Sequence, residues 1–228
     1  MTRWRERAIR EVRNELDRFL NFPLSQSVVL GDYGTYDGKA SRFQWEGNIK
    51  QLGLEFEENG FQHEIAETYA TSGAVTIQGR LSLLSNRPSV DVGFSRTSAL
   101  AFRGFKIGFS QVQLAGLSKA FGSAIRDGLK WDRKKVVVTQ VWEASGFTQL
   151  VAGGRKANVQ IEASIPEAAS AGGIFNFADP GLLLDITAQR SMSYCAVGLT
   201  DVKPYFMVHK LRETEPGLWG LYRYGSPS

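Results

Sequence analysis

Residues 134–163 read KKVVVTQVWEASGFTQLVAGGRKANVQIEA, and this stretch decides the fold. A valine-rich run ends at Trp142, and a second apolar run begins at Phe147. The residues between them, 143–146, are mostly small and turn-prone, and a glycine pair at 153–154 breaks the chain again. The segment that follows alternates apolar and polar side chains, which is typical of a strand with one buried face. The stretch therefore predicts a long β-hairpin followed by a further strand.

The composition is that of an ordinary soluble protein. Of 228 residues, 22% are charged and 43% are hydrophobic, and the net charge of +4 is too mild to indicate nucleic acid as a partner. Basic residues are concentrated in 103–135 and glutamates in 46–67. A basic stretch of this kind attracts an anionic partner such as a membrane surface, and two solvated faces without a partner are the alternative.

Local motifs for catalysis or cofactor binding are absent from the sequence. The one cysteine, Cys195, excludes an intramolecular disulfide, and the two histidines, His63 and His209, have no ligand or nucleophile at a recognisable spacing. Metal, phosphate-loop and RNA-binding patterns are also missing. We therefore expect a protein that is not an enzyme and has no cofactor, no metal and no nucleic-acid partner. A pairing of Cys195 with a histidine and an acid stays open.

The amino terminus carries no sign of a secretory signal. The chain is charged from its third residue, and no window approaches the ~18 uninterrupted apolar residues of a membrane-spanning helix. These features predict a cytoplasmic protein.

Two amphipathic helices are predicted, one over residues 2–20 and one over 111–129. The first places an apolar stripe opposite a face rich in arginine, and Ser110 is the expected cap of the second. A basic amphipathic helix can lie on a membrane surface, although its stripe can equally pack on the protein's own sheet.

The remaining segments are β in character, so the expected fold is α+β with a twisted, mostly antiparallel sheet. Asp37-Gly38 and Asn59-Gly60 are hairpin signals, because a type I′ turn requires positive φ at both central residues. Further strands are expected at 28–30, 52–56, 74–85, 90–109, 182–186, 192–199 and 205–211.

We expect one domain over residues 1–211 and a short tail over 212–228. The tail holds two prolines and three glycines, which is typical of loose chain ends. It also carries apolar and aromatic side chains that could dock into a groove of the domain. Those considered for such docking are Leu218, Trp219, Leu221 and Tyr222.

The order of these elements resembles the pore-forming domain of the gasdermins. A basic amphipathic helix comes first, then alternating strands, then a second helix and the valine-rich run KVVVTQV at 135–141. Gasdermins carry a similar V-V-T-E-V strand after a helix, and Gln140 stands here in place of the acid.

The resemblance implies a bacterial gasdermin-like protein with a role in antiviral defence. Such a protein is an autoinhibited cytoplasmic monomer until a protease removes its carboxy-terminal segment, and it then oligomerises on membrane lipid to form a large pore. The exposed stretch 212–216 would be cut, and the four tail residues just named would be the inhibitory contacts. The implied membrane-binding residues are Arg3, Trp4, Arg7, Arg10, Lys106 and Lys119.

A second class of function explains the same periodicity. Soluble antiparallel sheets also alternate apolar and polar residues, because one face meets the core and the other meets water. The alternative is therefore a non-enzymatic soluble binding or assembly protein with an antiparallel sheet.

Overall fold

The computed structural model describes residues 3–22, 24, 26–37, 42–81, 87–164 and 176–224. These ranges contain two α-helices, α1 (Arg3–Leu16) and α2 (Leu114–Arg126). The strands are β1 (Phe19–Leu20), β2 (Asp32–Asp37), β3 (Arg42–Asn48), β4 (Glu58–Ala70), β5 (Val75–Leu81), β6 (Pro88–Phe94), β7 (Leu100–Val112), β8 (Lys135–Ala152), β9 (Ala157–Ala163), β10 (Leu184–Arg190), β11 (Met192–Glu215) and β12 (Leu218–Arg223). Short 3₁₀ turns occupy Ile49–Leu52 and Pro180–Leu182.

The strands form two sheets, and every pairing whose register is defined is antiparallel. The eight-stranded sheet has the order β1-β11-β8-β2-β3. In addition, β12 pairs with β11, β7 pairs with β8, and β4 pairs with β7. The four-stranded sheet has the order β10-β9-β6-β5. The expectation of a mostly antiparallel fold with two helices is confirmed, and the twist of the sheet stays a prediction.

The chain divides into two compact units. The first unit comprises Met1–Ala8, His63–Ile107 and Ala144–Val202. The second unit comprises Ile9–Gln62, Gly108–Glu143 and Lys203–Ser228. One domain over 1–211 followed by a separate tail stays a prediction.

Each unit has its own apolar core. In the first unit, the apolar side chains of β6 and β9 pack with Ala101, Leu150 and Phe177. In the second unit, Leu117 and Phe121 of α2 join the valines of β8 and residues of β11. Burying such side chains stabilises each unit by roughly 1.5–3 kcal/mol per large residue.

Both helices are shorter than predicted. The first ends at Leu16 because Asp17 adopts a positive φ of 55°, and Phe19–Leu20 then pairs with β11. The second begins after Gln113, and Ser110 belongs to β7, so the expected serine cap is wrong. Of the residues predicted on the two apolar stripes, Ile9 and Val12 in α1 and Leu117 and Phe121 in α2 are buried.

The long central hairpin is wrong. Residues 143–146, expected to turn, lie inside β8, which runs unbroken for 18 residues. Gly146 instead allows the backbone of Ala178 to come close to β8, because a Cβ at position 146 would overlap the carbonyl oxygen of Ala178. The chain turns only after Ala152, and β9 belongs to the four-stranded sheet.

Other local signals were overridden by strand pairing. Asn59-Gly60, expected to be a hairpin turn, lies within β4, which pairs with β7. Residues 28–30 form no strand, and neither do 52–56, because Leu52 ends a 3₁₀ turn and 53–56 are irregular. The expected strands 192–199 and 205–211 are parts of β11, where Gly198 and Asp201 have positive φ.

The predicted pairing around Asp37-Gly38 is confirmed by β2 and β3, although residues 38–41 lie outside the described part of the chain.

Candidate functional site

The most distinctive element of the first unit is the four-stranded sheet, which we call the amphipathic sheet (β5, β6, β9 and β10). One face carries rows of apolar side chains across the strands. In one row Ile77 lies opposite Val92 and Val92 opposite Val159, and a second row joins Gly79, Val90, Ile161 and Ile186. Period-two alternation thus continues in register across β5, β6 and β9, whereas on β10 a register shift after Ile186 places Gln189 opposite Val159.

The other face of the amphipathic sheet is polar. In register, Gln78 lies opposite Asp91 and Asp91 opposite Gln160, while Asn158 lies opposite Arg190. On the two inner strands of this face, Ser89 of β6 lies opposite Glu162 of β9, and both side chains are buried.

The apolar face is largely covered by the first unit itself. Val90, Val92, Val159 and Ile161 are almost completely buried in one cluster. Ile186 on the outer strand β10 is the exception, with 40% of its surface exposed. The outer strand therefore presents an apolar side chain to solvent.

Strand order groups the amphipathic sheet into two pairs of consecutive strands. β5 pairs with β6, β9 pairs with β10, and the two pairs meet where β6 adjoins β9. Each of the four strands is seven residues long. Within each pair, the backbone groups that face the partner strand are hydrogen-bonded to it, so each pair can be regarded as one antiparallel unit.

The predicted membrane-binding residues are spread over several elements. Arg7 and Arg10 are exposed on α1, Lys119 is exposed on α2, and Lys106 is exposed on β7, where its φ is +48°. Arg7 and Lys106 belong to the first unit, whereas Arg10 and Lys119 belong to the second. The backbone of Arg3 and Trp4 lies in α1, but their side chains fall outside the described part of the chain.

The carboxy-terminal segment is built into the second unit as strand β12. It pairs with the end of β11 through a turn at 216–217, and residues 212–215 before the turn are exposed. Trp219 and Leu221 pack against the core of this unit, whereas Leu218 and Tyr222 are 57% and 43% exposed. The backbone N–H of Leu221 donates to the hydroxyl of Ser118 on α2. The strand thus covers one side of α2.

The end of β12 also contacts the end of α1. Arg223 forms a 2.6 Å ion pair with the Asp17 carboxylate and donates to its carbonyl oxygen. The guanidinium of Arg13 lies over the rings of Phe19, Tyr36 and Tyr224, at 4.8, 5.5 and 5.5 Å. Sequence reasoning missed this cluster, because its members come from three distant segments, 13–19, 36 and 223–224, and no local pattern marks them.

Of the titratable candidates, Cys195 and His63 belong to the first unit and His209 belongs to the second. Burial raises the pKa of the Cys195 thiol to about 11, so this cysteine is a poor nucleophile near neutral pH. His209 is buried and its nearest polar partner is the Thr139 hydroxyl. The side chain of His63 falls outside the described residues. Over the described ranges, no group of three or more acidic, histidine or cysteine side chains could hold a metal ion.

Neither helix within the described ranges combines the length and apolar character needed to cross a lipid bilayer.

Comparisons with known proteins give a weak structural likeness to a solved structure. No family model and no curated protein matches the chain. The cryo-EM structure of the gasdermin A3 membrane pore aligns with 98% of this chain and 96% of that chain. The two share 11% sequence identity, and the TM-score is 0.31. A likeness this low does not establish a family.

Proposed function

We propose that this chain is a gasdermin-like membrane pore former, held inactive by its carboxy-terminal segment and released by proteolysis. The observation that carries the proposal is the amphipathic sheet, in which two consecutive strand pairs share one apolar face. The resemblance of residues 135–141 and of the element order to gasdermins supports the same function.

Lipid requires that every backbone polar group be paired within the protein. Antiparallel pairs such as β5–β6 and β9–β10 keep their inner hydrogen bonds when they move together. The rows that include Val92 and Ile161 would then exchange a protein core for lipid at little cost in transfer free energy. The polar rows would face water inside the pore.

Strand length sets a condition on this proposal. A crossing strand needs about 9–11 residues, and each strand of the amphipathic sheet has seven. Residues adjoining each strand would therefore have to become extended on insertion. Several copies would be needed to surround a pore, so self-association on membrane lipid is part of the proposal.

Inhibition is assigned to β12. This strand packs Trp219 and Leu221 against the second unit and bonds to α2 through Ser118. We propose that a protease cuts the exposed stretch 212–216 and that loss of β12 uncovers this surface. Arg7, Arg10, Lys106 and Lys119 are exposed and would contact anionic lipid, with Arg3 and Trp4 as further candidates.

The test is dye release from anionic liposomes. A recognition sequence for a specific protease is inserted at the 216–217 turn, and size-exclusion chromatography checks that the β12 peptide leaves after cutting. We expect the cut protein to release dye and the intact protein to retain it. Release by the intact protein at the same rate would contradict inhibition by β12, and no release after complete removal would contradict pore formation.

A matched pair of substitutions tests which face meets lipid. Ile186 and Ala188 are both exposed on β10, and their partners lie in the apolar and polar rows. Ile186→Glu places a charge toward lipid, which costs up to a few kcal/mol, so dye release should fall about tenfold or more. Ala188→Glu places the same charge toward water and should leave release near the unsubstituted rate. Equal effects would exclude the proposed orientation.

The second candidate is a non-enzymatic soluble binding or assembly protein. The observation that favours it is the burial of Val90, Val92 and Ile161 in the core of the first unit, as expected for a sheet that never leaves its domain. This candidate predicts that the liposome experiment gives no release under any condition.

A further inference from the structure

An open cavity of about 380 Å³ lies in the second unit beside the pair Tyr36 and Tyr224. Its charged lining comes from three separate segments: Asp37 at the end of β2, Lys134 just before β8 and Lys210 in β11. Its volume falls at the small end of the range for small-molecule sites, which is about 300–1,000 Å³. The cavity therefore suits a ligand of mononucleotide size.

The two lysines give the cavity a positive character. Lys134 is exposed and Lys210 is half-buried, and neither forms an ion pair with any residue in the described part of the chain. Asp37 is the one acidic residue among the lining residues, so two positive charges face one negative charge. Lysine ammonium groups are established partners of phosphate oxygens.

The aromatic part of the cavity is held in place. The rings of Tyr36 and Tyr224 meet edge to face with centroids 5.5 Å apart, and Phe19 packs on both. The Arg13 guanidinium lies 5.5 Å from the centroid of each tyrosine ring. Tyrosines held in this way line the cavity and can contact a flat ligand without a large loss of side-chain entropy.

Polar side chains complete the lining. The hydroxyl of Thr35 and the amide oxygen of Gln44 are 3.5 Å apart, which is the outer limit of a hydrogen bond. Both groups therefore retain capacity to bond a ligand. Hydroxyl and amide groups beside an aromatic pair fit the edge of a heterocyclic ring.

We propose that this cavity binds a small anion in which a phosphate is joined to a flat heterocycle, the chemistry of a nucleotide. Lys134 and Lys210 contact the phosphate, and Tyr36 and Tyr224 contact the ring. The inference does not rest on the proposed membrane activity and concerns the intact chain, because Tyr224 lies in the segment that the proposed proteolysis would remove.

Isothermal titration calorimetry with AMP on the full chain tests the site. Inorganic phosphate and adenosine serve as probes of the charge and of the ring alone. We expect AMP to bind at one site and more tightly than either probe. The double variant Lys134→Gln/Lys210→Gln should weaken AMP binding at least about tenfold, because two charge-assisted contacts are lost. Lys130→Gln, an exposed lysine outside the cavity, is the matched control and should bind AMP as the unsubstituted chain does.

Tyr224→Leu tests the ring contact, and circular dichroism verifies its fold. This variant should weaken AMP binding while leaving phosphate binding unchanged. Absence of AMP binding, or AMP binding that the double variant leaves intact, would overturn the proposal. Equal affinity for phosphate and AMP would also overturn it. So would binding that is detected only with phosphatidylserine-containing vesicles and is lost in the double variant, because that result would assign the lysines to a lipid headgroup.

Discussion

The Nδ1 atom of His209 lies 2.6 Å from the hydroxyl oxygen of Thr139, and both side chains are buried between strands of the second unit. The same hydroxyl lies 3.4 Å from the carbonyl oxygen of Met207. When it donates to that carbonyl, it accepts from the imidazole N–H. Burial, and secondarily the positive charge of Arg223, lower the pKa of His209 to about 4. The imidazole is therefore neutral in the folded protein at ordinary pH.

Stability should fall in mild acid because of this histidine. An unfolded chain protonates His209 below its ordinary pKa of 6.5, whereas the folded chain resists protonation until about pH 4. The stabilisation is complete above pH 6.5 and is lost as pH falls toward 4, by up to about 3 kcal/mol. Urea denaturation between pH 4.5 and 7.5 measures how the free energy of unfolding changes with pH. His209→Gln should make this dependence on pH weaker over the window, and an unchanged dependence would refute the assignment of the effect to His209.

Substitution of Arg223 should raise the pKa of His209. The Arg223 charge is the second cause of the lowered value, after burial. Arg223→Gln removes that charge and also the exposed ion pair to Asp17, which contributes about 1 kcal/mol or less to stability. NMR titration of the imidazole is the measurement. A pKa that stays where it is would mean that burial alone accounts for the shift.

Trp219 and Leu218 should differ sharply in their effect on stability. Trp219 packs against the core beside Gly122, whereas Leu218 is 57% exposed. Trp219→Ala should reduce the free energy of unfolding by about 2 kcal/mol, and Leu218→Ala should change it by no more than about 0.5 kcal/mol. Urea denaturation compares the two variants. Similar losses would show that β12 is held by its backbone pairing rather than by the tryptophan.

Gly146 should not tolerate a side chain, although its neighbours are extended. A Cβ there would overlap the Ala178 carbonyl oxygen and lie 2.7 Å from Cδ of Pro180. Gly146→Ala should therefore destabilise the protein by about 2 kcal/mol or more. Gly93→Ala in β6 is the control, because nothing lies within 4 Å of a Cβ at that position. It should be neutral or stabilising by about 0.5 kcal/mol in thermal unfolding, and equal losses would contradict this account.

The parts of the fold that the sequence predicts are those set by local periodicity. Ile9 and Val12, predicted on the apolar side of α1, are buried, and so are the alternating apolar residues of β6 and β9, although Ser89 and Glu162 between them are buried as well. These patterns reflect which side of one element meets a core, so neighbouring residues suffice to predict them.

The parts that could not be predicted depend on residues far apart in the chain. The small residues around Gly146 suggest a turn, but the glycine is needed for the approach of Ala178, which no local pattern encodes. Asn59-Gly60 has the composition of a hairpin turn and is extended because β4 pairs with β7. The cavity lysines, Lys134 and Lys210, come together only after β8 and β11 have paired.

The irregular outer strand of the amphipathic sheet has a consequence for storage and handling of the protein. The ladder between β9 and β10 shifts register between Ile186 and Ala188. An interrupted edge is a poor template for strands of other molecules, whereas a straight and apolar edge seeds fibres. Deleting Thr187 to regularise the strand should turn this edge into an aggregation site, with thioflavin-positive deposits forming in concentrated samples that otherwise stay clear.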